Sequence, residues 1–214
     1  MPAGRLVRAD HLVPIHVTTS LQIEEHWGVK VLRMISQDGT NRLTIEFVAS
    51  LTEGITKLTK EARGLVITGN DRFFSAGADL EQIAALDAPS AYEFAKVGQR
   101  LMQAVEDFPA PIYAAISGYC MGGGLDLALA CHRRIASSHA VFGHRGAALG
   151  LITGWGGTQR LPRLIGKGRA LEMFVAAEKV SAVRALQIGL VDVVCEEPIK
   201  ECGRRILSLP RGQD

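Results

Sequence analysis

The stretch "GYCMGGGLDLALACHRR", Gly118 to Arg134, decides the fold. Three glycines end at Leu125, and a run of Leu and Ala follows with one carboxylate, Asp126, inside it. The apolar run "IYAAI", Ile112 to Ile116, leads in as a strand, and the Leu/Ala run predicts a helix over Leu125 to Cys131. Strand, glycines and helix start, in that order, leave the backbone N–H groups of Gly122 to Leu125 without intrahelical acceptors and without side chains to shield them. Those donors and the helix dipole attract negative charge. The alternative is that glycine here only permits close packing of a strand-to-helix turn.

The same alternation extends in both directions. Val29 to Ile35 is a β-branched strand, and after "SQDGTN" the segment Leu43 to Leu58 places Leu43, Phe47, Leu51, Ile55 and Leu58 on one helical face. Leu65 to Thr68 predicts a buried strand, and Ala91 to Phe108 a helix that stops at "PAP". Beyond the central helix come short apolar pieces at Arg134 to Ser137 and Val141 to Gly143, then a glycine-rich loop through Gly157. Helical patterns cover Thr158 to Ile165, Arg169 to Ala177 and Ser181 to Ile188, before a strand-like "GLVDVV" whose Asp192 reads as structural. Repeated β-then-α units indicate an α/β domain with crossover connections. The expected organisation is one core over residues 1–194, with its helical part from about residue 158, and a short tail over 195–214.

Composition narrows the function classes. With 47% hydrophobic and 21% charged residues, the chain has a globular composition. A formal net charge of +2 argues against nucleic acid as a partner, and the densest cationic group, Arg160, Arg163, Lys167 and Arg169, is interrupted by apolar residues. Cys120, Cys131, Cys195 and Cys202 have neither C-x-x-C pairing nor zinc-site spacing, so they read as small buried apolar groups without a metal. No run of eighteen apolar residues is present, so no membrane span is expected. Arg5 and Arg8 are followed by Asp10 and Pro14 rather than an apolar stretch, so a cytoplasmic location is expected, with an organellar transit peptide as the alternative.

Two familiar anion-binding loops fail on residues. The one Gly-Lys pair, Gly166-Lys167, precedes Gly168 and has Leu161 where a phosphate-binding loop needs glycine; "GYCMGGG" does not supply G-x-G-x-x-G. A second bare stretch, "FFSAGADL" (Phe73 to Leu80), follows another strand and turn, and a helical segment starts near Asp79. Donors from two separate loops are what an oxyanion hole requires.

The three motifs "FFSAGADL", "AAISGYCMGGGLDLALACHRRIAS" and "LGLITGWGGTQRLPRLIG", in this order, resemble those of the crotonase superfamily, the enoyl-CoA hydratase/isomerase family. With the helix after "DGTNRL" and the late "SAVRALQIGLVDVV" they cover most of Val29 to Val194. The resemblance implies an α/β crotonase fold of repeated ββα units with a shortened C-terminal helical region. It implies a coenzyme A thioester as substrate carrier, with no permanently bound cofactor. The thioester oxygen would be held by the N–H groups of Ala78 and Gly123. It further implies coenzyme A contacts at Ala76, Gly77, Asp79, Leu80 and Gly122, and a homo-oligomer, a trimer or dimer of trimers.

The departures bear on the reaction. Hydratases of this family use two glutamates; here the first position is Asp126, and "FGHRG" puts Gly146 at the second. Aspartate is shorter by one carbon–carbon bond, about 1.5 Å, and misplacement by about 1 Å costs about a hundredfold in rate. Asp126 is either the acid/base group, acting through water, or a helix N-terminal charge worth about 0.3–1 kcal/mol. His144 and Arg145, beside the vacated position, either replace the missing acid/base and hold a substrate carboxylate, or have surface and hydrogen-bonding roles. Trp155 either closes the acyl pocket or packs beneath its loop, and the packing role is the one expected. The implied function is hydratase- or isomerase-type chemistry on an enoyl-CoA. The alternatives are another enolate reaction, such as decarboxylation or thioester hydrolysis, and a non-catalytic acyl-CoA-binding scaffold.

Overall fold

A computed structural model describes residues 19–59 and 63–210; Arg5, Arg8, Asp10 and Pro14 lie outside them. The chain enters with β1 (Thr19–His26) and β2 (Val29–Ser36), a hairpin closed by Trp27 and Gly28, both at positive φ. Next come β3 (Arg42–Leu43), α1 (Ile45–Leu58), β4 (Leu65–Thr68), β5 (Phe73–Ser75), β6 (Gly77–Ala78), α2 (Leu80–Ala84) and α3 (Ala88–Glu106). The middle holds β7 (Ile112–Ile116), β8 (Tyr119–Met121), α4 (Gly123–Ala130), β9 (Arg133–Ala136) and β10 (Val141–Gly143). After a 3-10 turn at Gly146–Leu149 follow α5 (Gly157–Ile165), α6 (Lys167–Ala176), β11 (Val180–Ser181), α7 (Ala182–Gln187), β12 (Val193–Val194) and α8 (Pro198–Ser208).

Helix starts follow their caps. Thr44 accepts from the Phe47 N–H at the head of α1, and Asp87 with Ser90 forms a capping box at α3. The apolar residues Phe47, Val48, Leu51, Ile55 and Leu58 of α1 are all buried, as their helical spacing requires.

Three sheets result. The largest has strand order β1-β2-β4-β7-β9-β12, parallel except for the β1–β2 pair; the second has order β11-β10-β8-β5; β3 and β6 pair alone. Strands alternate between the two main sheets along the chain: β4 then β5, β7 then β8, β9 then β10. This is the crotonase fold, each ββα unit giving one strand to each sheet. The core lies between the sheets and the helices, with Leu32, Ile67 and Ile116 on one side and Phe74, Cys120 and Phe142 on the other.

Helix α4 runs through this core, with Gly124 to Ala130 all buried. It starts at Gly123, two residues before the predicted Leu125, because Gly122 (φ 50) makes the turn and the next glycines adopt helical geometry without cost to a side chain. Residues 195–214, read from sequence as a tail, instead contain α8. Cys202 and Ile206 pack on Val29, Val31, Val66 and Tyr113, the face of the main sheet opposite the core, because that face is apolar and needs cover. Cys195 is only partly buried, unlike Cys120, Cys131 and Cys202. Burial pushes the Cys131 thiol up to about 12.

The cationic group is also accounted for in part. The Arg160 guanidinium pairs with both Glu106 oxygens at 2.7 Å and donates to the Trp155 carbonyl, and Arg163 donates to the Gln159 carbonyl. Asp192 is structural, accepting from Arg133 and from the Arg134 N–H at 2.8 Å. No helix among the described residues is long and apolar enough to cross a membrane.

The β1–β2 hairpin carries a pH-dependent clamp. Arg33 donates to Glu24 at 2.9 Å and His26 lies 2.7 Å away, so these partners hold the Glu24 carboxyl at about 2, below its ordinary 4.5. A depressed carboxyl stabilises the fold above pH 4.5, and that contribution is lost as pH falls towards 2. Glu24→Gln is therefore expected to lower the urea midpoint at pH 6 and to match the unsubstituted protein near pH 2. Equal midpoints at pH 6 would remove the clamp from the stability of the fold.

Candidate active site

Backbone geometry builds one half of the site. The Asp79 N–H donates to the Leu43 carbonyl across the β3–β6 pair, so alternation along the strand turns the Ala78 N–H to the opposite edge. Among the described residues no strand occupies that edge of the two-stranded sheet. Gly123 opens α4 without a side-chain cap, which leaves its N–H outside the helix ladder. The two amides are neighbours: a methyl on Gly123 would lie 3.4 Å from the Ala78 nitrogen, and one on Gly77 would lie 3.2 Å from the Gly123 nitrogen. Gly77 sits at φ +95, where a side chain is strained, and its methyl would also press on the Met121 carbonyl at 2.7 Å.

Side chains build the other half. Asp126, in the first turn of α4, is completely buried. Its Oδ2 accepts from the Thr153 hydroxyl, and its Oδ1 lies 3.2 Å from His144 Nε2. Neither Oδ1 nor Nε2 makes a hydrogen bond with a described residue, because the two are close but poorly aligned. A buried polar group left unsatisfied costs about 1–3 kcal/mol, so a pair of them facing each other is a candidate for handling a ligand group or proton. Gly157 makes room for the pair, since a methyl there would meet Asp126 Oδ1 at 2.1 Å and His144 Nε2 at 3.0 Å.

One cavity of about 690 Å³ joins the halves. It is lined by Ala76, Gly77, Ala78, Leu80, Gly122 and Gly123, and it also reaches Asp126, His144 and Arg145. Most of the remaining lining is apolar, as in Phe94, Trp155 and Phe174. Of the expected contacts Asp79 is the exception: its carboxylate caps α2 through the Glu81 and Gln82 N–H groups and lies 3.6 Å from Arg42, outside the cavity lining.

The two residues before Gly146 are placed differently. His144 is buried beside Asp126 rather than at the surface, whereas Arg145 is exposed at the cavity. Thr153, which the sequence did not single out, is the hydroxyl that fixes the carboxylate. At Gly146 the chain closes on itself: the Leu151 N–H donates to the Gly146 carbonyl at 2.8 Å, and a methyl on Gly146 would meet the Leu151 carbonyl oxygen at 2.7 Å. A second acid has no seat at that position. Among the described residues no group of three or more His, Cys, Asp or Glu is placed to hold a metal.

A family model described as enoyl-CoA hydratase/isomerase matches residues 24–207. The chain belongs to the enoyl-CoA hydratase/isomerase family. It is 36% identical over 194 residues to a crotonyl-CoA hydratase of Syntrophomonas wolfei, a match covering 87% of this chain and 75% of the relative. A probable enoyl-CoA hydratase of Bacillus subtilis is 42% identical over 156 residues, 72% of this chain, and that match spans only 60% of the relative. Among solved structures, an enoyl-CoA hydratase of Thermoplasma volcanium superposes with a TM-score of 0.85 at 34% identity, over 89% of this chain and 78% of that one. The two backbone donors and the Asp126–His144–Thr153 group all lie within the residues that the family model matches.

Proposed function

We propose that this chain adds water to the double bond of an enoyl-CoA, holding the thioester oxygen between the Ala78 and Gly123 N–H groups and moving protons with Asp126 and His144. The observation that carries the proposal is the buried Asp126 carboxylate, 3.2 Å from His144 Nε2 and fixed by Thr153, in the same cavity as both backbone donors.

The steps follow from this arrangement. A water oriented by the Asp126–His144 pair gives one proton to the pair as its oxygen bonds to the β-carbon. The double-bond electrons move onto the thioester oxygen, where two preorganised N–H groups stabilise the charge. The pair then returns a proton to the α-carbon, so one coupled pair does the work divided elsewhere between two acids. Ala76, Gly77, Leu80 and Gly122 line the side on which coenzyme A would lie, and Arg145 would meet an anionic group of the substrate. The exposed apolar side chains Val183 and Leu186, outside the cavity lining, support a homo-oligomer, and a cytoplasmic location belongs to the same reading.

Closure of the Gly146 position favours a second reading, isomerisation, in which one pair takes a proton from the α-carbon and returns it to the γ-carbon without water. Turnover assays with crotonyl-CoA and a 3-enoyl-CoA, read by liquid chromatography with mass spectrometry so that isomers of equal mass are resolved, separate the two. Gain of one water is the expected result; a shift of the double bond without change in mass makes isomerisation the function. Thioester binding without either product would leave the scaffold reading in place of both.

A further inference from the structure

Trp155 is held in the cavity wall by contacts from every side. Its indole N–H donates to the Phe94 carbonyl at 3.3 Å, and its ring lies 5.1 Å from that of Phe94 with a 34° tilt. On the α3 side, Gly98 gives it room: a methyl there would overlap the indole nitrogen at 2.1 Å. On the α4 side its Cζ3 edge reaches Gly123, where a methyl would lie 2.5 Å away. The backbone is tied down as well, because Arg160, itself paired with Glu106, donates to the Trp155 carbonyl at 3.1 Å. The ring is 3% exposed yet lines the cavity.

A fixed indole at this place does more than fill the core. It stands against the donor at Gly123 and between that donor and the α3 wall at Phe94 and Gly98. An acyl chain leaving a carbonyl bound at Gly123 meets its edge before it can reach that wall. We propose that Trp155 is the specificity-determining residue that limits the length of acyl chain accepted by the site. The proposal rests on the reading above that a thioester carbonyl is held at Gly123, but it requires no proton transfer.

Binding of butyryl-, hexanoyl-, octanoyl- and decanoyl-CoA, which have no double bond to hydrate, tests it by calorimetry on the full chain. The ratio of decanoyl to butyryl affinity is expected to rise about tenfold or more in Trp155→Ala, in the range that pocket size confers on chain-length discrimination. Trp155→Phe, which keeps an aromatic ring against Phe94, is expected to fall between the two. A purely structural tryptophan would weaken all four ligands by one factor, and an unchanged ratio in the variants would overturn the proposal. Absence of acyl-CoA binding by the unsubstituted protein would overturn it too. If Trp155→Ala fails to fold, as judged by circular dichroism, the ratio in Trp155→Phe decides alone. Binding that depends on length without any turnover would count against the hydration reading and not against this one.

Discussion

Asp126→Asn is expected to lower kcat for enoyl-CoA turnover by about a hundredfold to ten-thousandfold, the range for removing a general acid or base. The amide has the size of the carboxylate and still accepts from Thr153, so the α4 turn keeps its shape and thioester affinity stays within a few-fold. Stability is expected to change in the opposite direction. Asp126 is completely buried and its Oδ1 has no hydrogen bond among the described residues, whereas an amide at that position offers His144 Nε2 a donor and removes the unsatisfied carboxylate oxygen. A melting temperature that rises while kcat collapses is the signature of a destabilising group retained for its chemistry. Turnover within a few-fold of the unsubstituted enzyme would remove Asp126 from the reaction and reduce it to a helix-terminal charge.

Gly77→Ala is expected to have the second large effect, through the backbone alone. The added methyl is strained at φ +95 and faces the Met121 carbonyl at 2.7 Å and the Gly123 nitrogen at 3.2 Å. Relief of these contacts must move β6 or the start of α4, and with them one or both donors. Loss of one such donor typically costs about a hundredfold to a thousandfold in kcat. Circular dichroism and a thermal melt, run on the same preparation, separate this from unfolding. A folded variant with unimpaired turnover would show that Ala78 and Gly123 do not hold the reacting oxygen.

The sequence disclosed the parts of the fold that depend on apolar runs and glycine. Ile112 to Ile116, the glycine triplet and the helix behind it are consecutive in the chain, and local rules suffice to read them. The first strand was not legible, because Glu24, Glu25 and His26 make its second half polar and it lies at a sheet edge with only β2 as partner. The donors at Ala78 and Gly123 were visible as motif residues. The way Thr153 reaches Asp126, 27 positions away, and the burial of His144 against the same carboxylate depend on how a glycine-rich loop folds over α4. Loop paths of this kind are set by tertiary contacts and leave no periodicity to read.

The closed loop at Gly146 also bears on how such a protein can change. With the Leu151 carbonyl oxygen only 2.7 Å from where a β-carbon would stand, exchanging this glycine for glutamate requires the backbone to shift as well. The loop from Gly146 to Leu151 would have to take another path first, and that path has no use until the acid is there. The geometry therefore makes the route to a side chain at this position a double change, of the residue and of the turn that closes on it, rather than a single substitution.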